Sequence, residues 1–180
     1  MEKQNVVLIG MPGVGKSTVG VILAKVLGYE FVDSDLLIQK AEKRLLREII
    51  ADEGQDGFLK IENRVNASIE TEKAVIATGG SVAYCTEAME HLREIGTVVY
   101  LKLDYEILRQ RLGNLKGRGV VLRDGQTLKD LYDERTPLYE KYADIVVDEK
   151  NLNIEETLQK IIEKLKKIIE NIERENMCTR

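Results

Sequence analysis

Val6-Val7-Leu8-Ile9-Gly10-Met11-Pro12-Gly13-Val14-Gly15-Lys16-Ser17 is the stretch that decides the fold. Val6–Ile9 is a short β-branched run that reads as a buried strand. Gly10–Ser17 matches the pattern Gly-x-x-x-x-Gly-Lys-Ser/Thr. Val19, Ile22, Leu23, Val26 and Leu27 then recur at helical spacing, and Gly28 stands where a helix usually stops. Strand, glycine turn and helix in that order are the setting a phosphate-binding loop needs. Glycines let the backbone wrap closely, with N–H groups pointing inward as an anion nest. The helix N-terminus adds the positive end of its dipole. Gly13, Val14, Gly15, Lys16, Ser17 and Thr18 are therefore the candidate nucleotide-binding residues, with Lys16 reaching the β- and γ-phosphates and Ser17 offering its hydroxyl to Mg²⁺.

Outward from this loop, short apolar runs alternate with helical patterns. Phe31–Val32, Ala74–Ala77, Thr97–Leu103 and Ile145–Val147 read as four further strands. Helices are expected over Leu36–Ile69 with a break near Gly54–Gly57, over Glu87–Arg93, over Tyr105–Leu112 behind an Asp104 N-cap, and over Leu128–Tyr142 despite Pro137. Alternation of this kind implies an α/β fold, a parallel sheet with helices on both faces. Ile154 to Ile172 carries a clean apolar stripe and predicts an amphipathic C-terminal helix over about 154–174, followed by a polar tail at Arg174–Arg180. Such a helix packs on its own domain or serves as a dimer contact. Gly113–Gly125 has no periodicity and reads as a lid loop.

Composition narrows the class. The 180 residues are 43% apolar and 32% charged, the balance of one soluble domain. A net charge of -4 lacks the basic bias of a non-specific nucleic-acid binder. Two cysteines, Cys85 and Cys178, and a single histidine, His91, leave no zinc-site spacing and no Ser-His or Cys-His pair. The five-residue apolar run near the N-terminus is too short for a signal peptide or a membrane span, so a cytoplasmic location is expected.

A phosphate loop names a ligand and leaves the reaction open. The chain lacks an Asn-Lys-x-Asp guanine-reading motif, which counts against a GTPase. Asp33-Ser34-Asp35 ends the second strand. Two aspartates two apart face the same side of an extended segment, where one can serve magnesium and the other an attacking hydroxyl. Asp33 or Ser34 can equally cap the next helix, and both roles can coexist. Thr78-Gly79-Gly80-Ser81 ends the third strand on the same edge of the sheet, where ligands of parallel sheets bind. Arg111, Arg118, Arg123 and Arg135 cluster in and around the lid, and guanidinium groups stabilise the charge of phosphoryl transfer.

Taken together, the loop, Asp33-Ser34-Asp35, Phe58…Glu62, Thr78-Gly79-Gly80, the lid around Arg118, and Arg135-Thr136-Pro137-Leu138-Tyr139 with Ala143-Asp144 resemble the shikimate kinase family, from about Asn5 to Asp148. The resemblance implies a three-layer P-loop kinase fold with a five-stranded parallel sheet in order 2-3-1-4-5, ATP as co-substrate, Mg²⁺ as cofactor, a small hydroxylated acceptor and a monomer. Carried onto this chain, it implies catalytic roles for Lys16, Asp35 and Arg118. It places Ser17 and Asp33 at the metal, and Arg111 and Arg118 at the nucleotide. Asp35, Gly79, Gly80 and Arg135 would meet the acceptor.

The departures lie at the acceptor end. The family's Phe-Arg-x-x-Glu reads Phe58-Leu59-Lys60-Ile61-Glu62, so an arginine that helps hold the shikimate carboxylate is Leu59 here. Arg64 is a candidate to compensate. Ser81 replaces a third glycine, and the lid's Arg-Pro-Leu-Leu reads Arg118-Gly119-Val120-Val121. Three readings follow: a shikimate kinase, a related kinase for another polyol or hydroxy acid, or a nucleotide-binding regulatory module without catalysis.

Overall fold

A computed structural model describes residues 4–112 and 125–178. The lid expected at about 113–125, with Arg118 and Arg123, lies outside them apart from Gly125. Strand β1 (Asn5–Ile9) is buried at every position, as an apolar β-branched run in the middle of a parallel sheet must be. It pairs with β3 (Ala74–Ala77) on one side and β4 (Gly96–Lys102) on the other. β2 (Glu30–Asp33) and β5 (Ile145–Asp148) complete the sheet, in the order β2-β3-β1-β4-β5 with every pairing parallel. The expected fold class and strand order are both found. All carboxyl ends of the strands therefore meet along one edge.

Helix α1 (Lys16–Leu27) leaves that edge directly behind the glycine loop and stops at Gly28, whose left-handed φ of 68° closes it. α2 (Ser34–Glu42) and α3 (Leu46–Ala67) occupy the stretch expected as one broken helix. The chain interrupts it twice. Lys43 is left-handed at the end of α2, and Gly54 inside α3 has φ 68° and ψ -177°. That second geometry suits glycine, and it divides α3 into two helical segments joined at a kink. α4 (Thr86–Ile95) and α5 (Tyr105–Leu112) follow. Asp104 does start α5, its carbonyl accepting the Leu108 amide at 2.9 Å, while its side chain pairs with Lys150. α6 (Leu128–Tyr142) runs through Pro137. Its buried face of Leu131, Arg135, Tyr139 and Tyr142 outweighs the proline's cost of roughly 3 kcal/mol.

α7 (Ile154–Cys178) extends beyond the predicted end near residue 174. The supposed tail contains neither Gly nor Pro before Cys178, so nothing stops the helix. Its apolar stripe is used within the chain: Leu158 and Ile161 enter the main core, and Ile162, Leu165 and Ile168 pack against it. No helix among the described residues is long and apolar enough to cross a membrane.

Ile161 is fully buried and Ile169 is 56% exposed on the same helix. Ile161→Ala is therefore expected to destabilise the chain by about 2–5 kcal/mol. Ile169→Ala should stay within about 0.5 kcal/mol. Urea unfolding of both variants measures the difference.

Candidate active site

The glycine loop joins β1 to α1. Gly15, left-handed at φ 105°, hands the chain into the helix without a side-chain cap. The first amides of α1 are thus open to an anion. Lys16 is buried, and its Nζ donates to the carbonyls of Gly10 (2.8 Å) and Met11 (3.0 Å). Burial lowers its pKa to about 8, opposed by the negative charge of Asp35. Ser17 and Thr18 are exposed at the mouth of the loop.

Asp33 joins this loop to the next element. Its Oδ2 accepts the Ser17 hydroxyl at 3.2 Å, and its Oδ1 accepts the amides of Asp35 (3.0 Å) and Leu36 (3.4 Å). Asp33 is therefore the N-cap of α2 and a neighbour of Ser17 at once. The predicted extended geometry for Asp33 and Asp35 is not what the chain adopts. Asp35 lies in the first helical turn, so the two carboxylates diverge: Asp33 turns to Ser17 and Asp35 lines a cavity. Ser34, fully buried, is not the cap; its Oγ accepts the Gly79 amide at 3.2 Å and ties α2 to the end of β3. Burial and then the Asp33 charge raise the Asp35 pKa above the usual carboxylate value. A more basic carboxylate is the better proton acceptor.

The cavity holds about 180 Å³ and reaches Pro12 of the glycine loop. Pockets for drug-sized ligands run to roughly 300–1,000 Å³, so its occupant is small. Asp35, Glu62, Gly79, Gly80 and Arg135 stand in its wall, with Leu46, Ile50, Phe58 and Leu59 forming an apolar side. A side chain at Gly79 would collide with Glu62 and Asp35. At Gly80 a Cβ would stand 2.7 Å from Pro12 and 3.2 Å from an Arg135 nitrogen. Both positions need the absence of a side chain, because charged side chains and the Pro12 ring converge there. Tyr139 donates its hydroxyl to the Gly80 carbonyl and stacks on Tyr100 at 5.1 Å, which pins this turn to α6. Arg135 is buried, with its Nε donating to the Tyr84 hydroxyl (3.4 Å) and its guanidinium 5.2 Å from the ring centroid.

The structure separates the arginines that were expected to cluster. Arg135 belongs to the cavity, whereas Arg111 donates to the Val14 carbonyl at 3.3 Å and lies 3.9 Å from Glu149. Arg118 and Arg123 are outside the described residues. Arg64, the candidate to replace the missing arginine, is 62% exposed and paired with Glu42, away from the cavity. Leu59 does face the cavity. His91 has a structural role, its Nε2 bonding the Ile69 carbonyl at 2.8 Å.

Two carboxylates drew no functional reading from sequence. Glu62 is fully buried, and its Oε1 has no hydrogen-bond partner. Burial raises its pKa to about 7 against the pull of the Ser81 hydroxyl and the Arg135 charge. Its signal was its register: with Phe58, Val65 and Asn66 it shares the buried face of α3. Glu149, just past β5, is also buried, and burial again raises it to about 7 despite Arg111 and Lys16. Its position beyond a strand's carboxyl end was the available clue.

A phosphate loop opening a helix, beside a small polar cavity with a carboxylate raised toward neutrality, defines a P-loop phosphotransferase acting on a small molecule. A family model described as "SKI: Shikimate kinase" matches residues 12–166. A shikimate kinase of Thermodesulfovibrio yellowstonii is 36% identical over 159 residues, covering 87% of this chain and 91% of that protein. One from Histophilus somni is 37% identical over 150 residues, covering 81% and 86%. Among solved structures, the Acinetobacter baumannii shikimate kinase in complex with shikimate superposes with a TM-score of 0.81 at 34% identity, covering 94% of this chain and 95% of that one. The chain belongs to the shikimate kinase family. A Sinorhizobium meliloti gluconokinase, 18% identical with a TM-score of 0.56, shares the fold alone.

Glu62 supplies a test of the cavity's electrostatics. Its pKa is raised in the folded state, so its contribution to stability is complete below its unfolded value near 4.5 and is lost as pH rises through about 7. Glu62→Gln removes that loss. Relative to the parent, the variant should gain on the order of 2–3 kcal/mol between about pH 4 and pH 8. Chemical denaturation across that range measures it, and a constant difference would contradict the assignment.

Proposed function

We propose that this chain transfers the γ-phosphoryl group of ATP to shikimate, giving shikimate 3-phosphate and ADP. The observation that carries this reading is the small cavity abutting the glycine loop at Pro12, with Asp35, whose charge acts on Lys16, and Arg135 in its wall. Membership of the family supports the choice of acceptor.

In this reading Lys16 exchanges the Gly10 and Met11 carbonyls for β- and γ-phosphate oxygens. Its buried ammonium already lies within the glycine loop, and it turns from those carbonyls to the phosphates as the nucleotide binds. Gly13, Val14, Gly15, Ser17 and Thr18 surround the phosphates, and Arg111 stands beside them through Val14. Ser17 and Asp33 place a hydroxyl and a carboxylate oxygen 3.2 Å apart, a hard-oxygen pair that fits Mg²⁺ carried with nucleotide phosphates. The ion, bound there, would neutralise charge on the transferring phosphate.

Asp35 accepts the proton of the acceptor hydroxyl. The hydroxyl oxygen then bonds to the γ-phosphorus as the bond to the β,γ-bridging oxygen breaks, and ADP leaves. Gly79 and Gly80 offer backbone to the acceptor, and Arg135 meets its carboxylate. Arg118 is assigned to the phosphates from the family resemblance. The free, buried Cys85 suits the cytoplasm, and the use of α7's stripe within its own chain supports a monomer.

A coupled ADP-release assay with shikimate tests the reading. Turnover should require shikimate, and Asp35→Asn should cut kcat by about 10²–10⁴-fold. ATP affinity of that variant should change little, by titration calorimetry. Nucleotide binding without turnover of shikimate would sink the proposal.

A further inference from the structure

A carboxylate acceptor must enter a cavity whose wall already contains two carboxyl groups, Asp35 and Glu62. Like charges at short range disfavour one another, and the effect grows as water leaves. Arg135 is the deeper of two arginines in the same wall. Part of its donor capacity is directed at Tyr84. One guanidinium thus faces Asp35, Glu62 and the incoming acid.

The second arginine in that wall is Arg47. It sits in the first turn of α3, between Leu46 and Glu48. Leu46, Arg47 and Ile50 all line the cavity, so this turn supplies one part of a wall that the Gly79-Gly80-Ser81 turn and Arg135 also form. Spacings of three and four place Ile50 next to both on the helix surface. Among the described residues Arg47 makes no hydrogen bond or ion pair. Its neighbours are different: Arg44 is paired with Glu42, Asp52 and Glu53, and Arg64 with Glu42. Arg44, just before α3, and Arg64 within it are thus engaged in ion pairs, and Arg47, exposed, is left uncommitted in the cavity wall. Leu59, from the far side of the Gly54 kink, contributes only apolar surface to the same wall.

We propose that Arg47 is the second cation of the acceptor site, binding the acceptor carboxylate together with Arg135 and setting the preference for an acidic over a neutral polyol. The inference rests on the shikimate reading. It makes Arg47 a specificity residue with no part in the proton or phosphoryl transfer. An exposed guanidinium keeps its hydration until the acceptor arrives, so the apo protein bears no desolvation cost for it.

The experiment compares shikimate with its uncharged methyl ester in the ADP-release assay, using the full chain. Arg47→Gln should raise KM for shikimate about tenfold to a hundredfold, the range for a lost charge-assisted hydrogen bond, and leave KM for ATP unchanged. KM for the ester should barely move, so the acid-to-ester preference collapses. Arg47→Lys should restore part of it. Leu59→Arg in the Arg47→Gln background should restore more, because it returns a guanidinium to the same wall. Arg44→Gln, outside the cavity, should leave the preference intact. Equal KM changes for acid and ester, or none, would overturn the role of Arg47 while leaving the kinase reading standing. A parent protein inert toward shikimate but binding ATP would overturn the kinase reading and this inference with it.

Discussion

One oxygen of the Asp33 carboxylate accepts the Ser17 hydroxyl, and the other accepts the amides of Asp35 and Leu36. That single side chain couples the start of α1 to the start of α2. Removing it would release two helix-terminal amides and the hydroxyl at once. It also fixes the backbone from which the Asp35 side chain reaches the cavity wall. The nucleotide end and the acceptor end of the cleft are therefore held in register through one residue at the end of β2. The parallel sheet makes this possible, because it brings the ends of β1, β2 and β3 to the same edge.

The same edge concentrates buried charge. The charges of Asp35, Arg135, Glu149 and Glu62 all act on Lys16, and burial is the leading cause of the shifts at Lys16, Asp35, Glu62 and Glu149. A core built for stability alone would exclude such groups, because their desolvation is repaid only with suitable partners. Glu62 and Glu149 each retain an oxygen without a hydrogen bond. Conflict of this kind between local stability and polar content is expected where a site must bind a charged ligand.

The donor half was legible because its information is local. Gly10–Ser17 carries its turn, its anion nest and its lysine within one continuous string, and the strands betray themselves by β-branched runs. Asp33 and Asp35 were correctly located and wrongly shaped: period-two reasoning applies to a strand, and the chain turns into α2 between them. Arg64 failed for a related reason. Its helical register was readable, but its capture by Glu42, at the end of the preceding helix, depends on how α2 and α3 pack. Glu62 was visible as a carboxylate on an apolar face, whereas Arg47 carried no signal among its charged neighbours. Only the breaks at Lys43 and Gly54 determine which arginine of this stretch reaches the cavity.

These breaks explain how an acceptor site can change its residues and retain its charge. The first turn of α3 and the segment after Gly54 approach the same cavity from different directions. A carboxylate responds to the distance and hydration of a guanidinium, and is indifferent to the segment that delivers it. Replacing a cation at position 59 by leucine therefore does not by itself make the cavity neutral while Arg47 stands in the same wall. What differs is its surroundings. A guanidinium at the half-buried position of Leu59, between Phe58 and Glu62 in the wall, would draw Glu62 toward ionisation. Arg47 at the solvent side leaves Glu62 buried and its pKa high until a ligand arrives. The cavity is then a weaker anion site when empty, because its exposed cation remains hydrated until an acid binds.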